Sequence, residues 1–162
     1  MAKSYKLQAL LDLRHRELED AEDEYAREVG ELERRKEFVE AKRADLKDAC
    51  ARRRRACAEH DGQLAVGRAT MSEILLFDDF LAGLKQDESN LAESIERAER
   101  SVQQQERDVA AAKRELIEAT KEVKAVEKHR EQWEQEQETK AQRKRSAAMD
   151  EVAARRWMEK NR

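Results

Sequence analysis

Apolar residues recur at every seventh position in two long stretches of the chain. In the first, Leu11, Leu18, Tyr25, Leu32, Val39 and Leu46 form one column; in the second, Ile95, Val102, Val109, Leu116 and Val123 form another. A seven-residue beat keeps one helical face turned toward a partner helix, so each column reads as the seam of a coiled coil. The beat breaks once, between His60 and Gly67, in a segment that holds two of the chain's four glycines and is the one place where direction can reverse. The predicted fold is all-α: a long antiparallel two-helix coiled-coil hairpin, a single rod-like domain over residues 1–162 that makes its contacts at its ends.

The expected elements are a first helix over residues 4–59 with Ser4 as N-cap, a turn over 60–69, and a second helix over 70–157. Thr70 followed by Glu73 has the spacing of a capping box. Gly30, inside the first helix, costs on the order of 1 kcal/mol relative to alanine, which so long a helix tolerates. The companion column of the first helix is Leu7, Arg14, Ala21, Glu28, Arg35 and Lys42, and turns charged after Ala21. The companion column of the second helix is Leu84, Leu91, Ala98, Gln105, Ala112, Ala119, Val126 and Trp133. Such a narrow stripe suits one partner helix better than a multi-helix core.

A turn centred on Leu64 and Ala65 would make facing residue numbers sum to about 129, placing Leu7 near Glu122 and Leu11 near Glu118. The second helix then outruns the first, and residues from about Glu127 to Arg162 have no partner within the chain. Pairs such as Glu136 with Lys140 and Glu151 with Arg155 support a lone helix by only about 0.2–0.5 kcal/mol each. The tail is expected to fray until something binds it.

Composition narrows the function classes. Charged residues make up 44% of the chain, aromatics 4%, and proline is absent, which suits a solvated helix with one apolar stripe and cannot fill a globular core. The net charge of −3 arises from 34 basic and 37 acidic residues that are interspersed, so no global field attracts nucleic acid. The longest apolar run, Ile74-Leu75-Leu76-Phe77, is far short of the roughly 20 residues of a spanning helix. The N-terminus has no apolar signal region, so a cytoplasmic location without membrane insertion is expected. No phosphate-binding glycine loop occurs, and His15, His60 and His129 are too dispersed to assemble with a nucleophile. Neither a catalytic site nor a cofactor is expected. Cys50 and Cys57 are seven apart on one helix, about 10 Å between Cα atoms, too far for a disulfide, and no histidine completes a metal-ligand spacing with them.

Two regions stand out as contact surfaces. Met71, Ile74, Leu75, Leu76, Phe77, Phe80, Leu81 and Leu84 carry apolar residues on more faces than one partner helix can cover. They either fold over to seal the turn or present a protein-binding patch. The overhanging tail carries Arg143, Lys144, Arg145, Arg155, Arg156 and Lys160, with Trp133 and Trp157 as candidate anchors, and needs an external partner for its order. Arg52 to Arg55 spread their charges around the helix and read as a solvated turn, with an acidic docking surface as the alternative.

Three segments resemble one family in order and position. Leu7-Gln8-Ala9-Leu10-Leu11-Asp12-Leu13-Arg14-His15-Arg16-Glu17 is similar to the opening of the flagellar export protein FliJ and its injectisome counterpart, the YscO/SctO stalk. Glu127 to Trp133 resembles a His-basic-x-x-Trp stretch of injectisome members, and Met149 to Arg156 resembles the family's C-terminal Asp-Glu-x-x-x-x-Arg tail. The resemblance implies a stalk of the type III secretion ATPase, at the base of a membrane-embedded apparatus, that promotes ATPase activity and export. Its paired chain ends would enter the ATPase hexamer through Arg143, Arg145, Arg155, Arg156 and Trp157, and its turn would reach the export gate's cytosolic domain through Phe77, Phe80 and Leu84. Secretion chaperones are further candidate partners. Phe80 and Leu84 match the family's aromatic-x-x-x-Leu pair, whereas Phe38, Lys42, Asp45 and Ala49 stand where flagellar members carry glutamine, leucine and tyrosines. That departure favours an injectisome stalk over a flagellar one. The rivals are a FliJ-type flagellar protein, a peripheral stator subunit of the same ATPase, and a generic parallel coiled-coil dimer.

Overall fold

The computed structural model describes residues 5–161, so the Ser4 cap lies outside the described residues. Two helices account for nearly all of these: α1, Gln8–Ala65, of 58 residues, and α2, Met71–Lys160, of 90. They pack against each other as a helical hairpin, with no strand among the described residues. Contacts divide the chain into two compact units, Glu24–Ala112 and Met1–Asp23 with Lys113–Arg162.

Within the first of these units, which holds the turn, the seam buries Leu32, Val39, Ala49, Ile95, Ala98 and Ala112. Leu46, Leu84, Leu91, Val102 and Val109 are half-buried at its edge. The small side chains at Ala49, Ala98 and Ala112 let the two backbones approach closely there. In the other unit the seam is Leu11, 3% exposed, with Tyr5 and Val123, flanked by half-buried Leu18, Leu116 and Val126. Burying one leucine of this kind stabilises the pairing by about 1.5–3 kcal/mol, and no second layer adds to it.

The turn is shorter and later than the glycine pattern predicts. α1 continues through Gly62 and ends at Ala65, because Gly67 supplies the reversal with φ of 63°. The Gly67 amide donates to the Leu64 carbonyl at 3.0 Å and the Arg68 amide to the Gln63 carbonyl at 3.1 Å. These two bonds are the Schellman closure, which satisfies the last free carbonyls of the helix and needs a left-handed residue at its centre. Thr70 then caps α2: its amide and hydroxyl donate to the Glu73 carboxylate at 2.7 and 2.9 Å, and the Glu73 amide donates back to the Thr70 hydroxyl at 3.3 Å.

Moving the turn moves the register. Glu122 meets Arg14, at 2.6 Å, and not Leu7; Tyr5 reaches as far as His129 and Trp133. Pairing is therefore shifted by about one heptad from an arrangement centred on Leu64 and Ala65, and the overhang begins after Trp133, not at Glu127. The tail is not frayed: α2 is helical to Lys160. Helix-favouring residues without proline or glycine fill it, and the Glu136–Lys140 and Glu151–Arg155 pairs lie along it.

The two turn glycines make opposite predictions. An added Cβ meets nothing within 4 Å at either Gly62 or Gly67, so only backbone conformation differs between them. Gly62→Ala, in a helix interior, should stabilise by up to about 1 kcal/mol. Gly67→Ala should destabilise by about 1–2 kcal/mol, because alanine pays for the left-handed conformation. Urea unfolding midpoints of the two variants on either side of the wild type would bear this out; equal shifts would contradict the Schellman closure.

Candidate interaction sites at the turn and the chain ends

The apolar window beside the turn divides into two faces. Ile74, Phe77, Leu81 and Leu84 are half-buried toward α1, and the Phe77 ring stacks on His60 with centroids 3.8 Å apart and planes 11° from parallel. Met71, Leu75, Leu76 and Phe80 remain exposed, Phe80 to 53%, and Leu64 and Val66 join them from the end of α1 and the turn. Phe80 leans on Phe77 at 6.2 Å. The window therefore divides: one face seals the turn and the other is an open apolar patch. Of the three expected gate residues, Phe80 lies on the open face, Phe77 holds the turn together, and Leu84 belongs to the seam edge.

Among the residues that depart from the flagellar pattern, Ala49 is buried in the seam and unavailable to a partner. Phe38 is half-exposed with the Lys42 ammonium 5.5 Å from its ring centre, and Lys42 also pairs with Asp45 at 3.4 Å. In the arginine run, Arg53 turns inward to Glu88 at 2.7 Å and Arg54 bonds the Cys50 carbonyl of its own helix, while Arg52 and Arg55 are exposed. Cys50 and Cys57 are free, half-buried thiols. No group of three or more metal-capable side chains occurs among the described residues.

At the chain ends, Tyr5 closes the pairing. Its ring is buried 5.4 Å from the Trp133 ring, its hydroxyl lies 2.7 Å from His129 Nδ1, and it donates to the Val126 carbonyl at 3.5 Å. The hydroxyl has one proton: it accepts from His129 Nδ1–H while donating to Val126, or donates to a bare Nδ1 in place of the carbonyl. Trp133 is thus the last residue of the pairing and not a free anchor. Tyr5 lies outside the heptad columns, and the signal that could have found it is a column-position tryptophan with no assigned partner.

Beyond Trp133 only Gln137 and Ala141 retain partial cover, and every residue from 142 to 161 is exposed. Arg143, Arg145, Arg155 and Arg156 are among them, with Arg155 engaged by Glu151. Met149, Val152, Trp157 and Met158 are open apolar groups on the same stretch, Trp157 to 69%. From 139 to 161 seven basic residues stand against three acidic ones, so this helix presents apolar side chains within a positive surface.

A profile of the family described as YscO-like protein matches residues 2–162. The chain belongs to the YscO-like family. A comparison with curated proteins finds no match. Among solved structures, a proposed YscO homolog from Chlamydia trachomatis is similar, at 19% identity over 93% of each chain and a TM-score of 0.76; the likeness is one of fold. As a YscO-like protein this chain is a stalk-like component of type III secretion. No helix of this YscO-like chain, among the described residues, is long and apolar enough to cross a membrane.

The cap beside the apolar patch gives a pH prediction. Hydrogen bonds from the Thr70 amide and hydroxyl hold the Glu73 carboxyl below its ordinary value of 4.5. A carboxylate with a lowered folded value stabilises fully above the unfolded value, and that contribution is lost as pH falls through the folded one. The thermal midpoint of the wild type should therefore drop more steeply below pH 4.5 than that of Glu73→Gln. Parallel pH profiles would mean that the carboxylate does not hold the cap.

Proposed function

We propose that the chain is a non-enzymatic central stalk of a type III secretion apparatus, of the injectisome kind, working on the cytosolic face. In this reading it links the ATPase hexamer to the cytosolic domain of the export gate and promotes ATPase activity and protein export. Family membership supports the apparatus. The observation that carries the assignment of the ATPase contact is the exposed, basic, tryptophan-bearing stretch of α2 over residues 142–161, which has no partner helix among the described residues. Arginine and tryptophan dominate protein interfaces when desolvated, and peripheral charges steer association. The open apolar face of Met71, Leu75, Leu76 and Phe80 is the counterpart for the gate, since contiguous exposed apolar groups on a soluble surface mark interaction sites. Secretion chaperones are candidate additional partners of either surface.

Deleting residues 141–162 should abolish stimulation of the secretion ATPase in a hydrolysis assay while the remaining hairpin keeps its helicity. Reversing the charges of Arg155 and Arg156 should cause much of the same loss, in a salt-sensitive manner. Full stimulation by the truncated chain would move the contact to the paired segment from Leu7 to Leu18.

For the gate, the exposed pair Leu76→Ala with Phe80→Ala is the discriminating variant, because Phe77 is needed for the His60 stack. It should change stability by no more than about 0.5 kcal/mol. Binding to the gate's cytosolic domain should be lost in titration calorimetry. Unaltered binding would remove the patch from the interface.

A further inference from the structure

Some of the seam positions of α1 and α2 carry polar groups, and these are matched in pairs. Gln105 is the most deeply buried side chain of the chain, 2% exposed, and sits in the companion column between Ala98 and Ala112. Its amide donates to the Glu28 carbonyl at 3.1 Å and to the Glu28 carboxylate across the seam. Arg53 and Glu88 lie on the beat of the apolar columns, seven residues after Leu46 and seven before Ile95. They meet each other at 2.7 Å, with the Glu88 side chain 16% exposed and that of Arg53 32%. Between these layers Arg35 donates to the Ser101 carbonyl at 3.1 Å, and at the flank Arg43 pairs with Glu99 at 2.7 Å. No buried side-chain polar atom is left without a partner among the described residues.

The alternatives that an apolar seam would permit lack this matching. A parallel, in-register pairing of α1 with α1 of a second copy would set Glu28 against Glu28, Arg35 against Arg35, Lys42 against Lys42 and Arg53 against Arg53. Like charges facing each other across a coiled-coil seam are destabilising, and a desolvated unpaired charge costs more than a pair gains. A hairpin slipped by one heptad would leave Glu28 facing Ala98 or Ala112 and Arg53 facing Leu81 or Ile95. The apolar columns alone would tolerate such a slip, since one heptad replaces leucine and valine by more of the same.

The geometry points to a partner-selection code: the Glu28–Gln105 and Arg53–Glu88 layers make α1 accept α2 of its own chain, in one register, and refuse a second copy. This goes beyond the secretion role and does not depend on it. Buried polar layers of this kind lower stability relative to apolar ones while fixing register and oligomeric state. They also explain why α1 carries a charged companion column where more leucine would bind more tightly.

The test is a full-length variant with Glu28, Gln105, Arg53 and Glu88 all replaced by leucine, beside the charge swap Arg53→Glu with Glu88→Arg. The leucine variant should keep its helicity, melt at a higher temperature, and form dimers in sedimentation equilibrium over micromolar concentrations, where the wild type should sediment as a monomer. The charge swap restores the pair within the hairpin and leaves like charges opposed in a parallel dimer, so it should stay monomeric, whereas Arg53→Glu alone should melt at a lower temperature. A leucine variant that stays strictly monomeric, or a charge swap that dimerises, would overturn the code and leave the turn as the sole determinant of partner choice. Loss of helicity in the leucine variant would equally overturn it, because the polar layers would then be required for folding itself.

Discussion

Each helix of this protein has one apolar stripe and one partner on which to bury it. A globular domain distributes its core over several layers, so a weakened contact is covered by others; here Leu11, Leu32, Val39, Ile95 and Val123 have only the facing helix. An isolated helix draws little stability from propensity, and most of what holds α1 is therefore the seam itself. The salt bridges are mainly exposed pairs three or four residues apart on one helix, such as Arg34 with Glu31 and Arg43 with Glu40, which solvent screens so that each adds little. Their main effect is to keep the outward faces soluble and helical while the stripe does the binding.

That constraint explains the division between seam and surface. With no third layer among the described residues, the side chains left open are those the seam does not use. The large apolar ones gather beside the turn and beyond the Tyr5–Trp133 contact on α2, with Leu7, Leu13, Phe38 and Ile117 scattered singly along the paired stretch. Phe77 and Phe80 show how sharply the division falls, three residues apart, one stacked on His60 and the other leaning outward.

The heptad columns were legible in sequence because a period of seven over six repeats has no competing explanation, and every residue of both columns is buried or half-buried. The capping box at Thr70 was equally legible, since its two residues carry the whole interaction. The turn was not, because the segment offers two glycines and only backbone geometry distinguishes them: Gly62 rides inside α1 while Gly67 takes the positive φ. That ambiguity of a few residues propagated into the register and into the start of the overhang. Trp133 was read as a tail anchor for the same reason, its partner Tyr5 lying before the helix and off the beat. Of the contact surface beside the turn, sequence located the window but could not separate the face that closes it from the face that stays open.

The helical tail changes how binding at the chain end is to be understood. A segment that is disordered when free must be ordered by its partner, and fixing a backbone residue costs about 1–2 kcal/mol. Residues 142–161 are exposed and continue α2 beyond its paired part, so they extend an existing helix without the cost of nucleating a new one. A partner of the kind proposed would then have less to supply from new interactions. Continuity of α2 has a second consequence. The Tyr5 contact at Trp133 marks, among the described residues, where pairing ends on the same helix that carries the exposed stretch, so the register of that seam decides which side chains stay open.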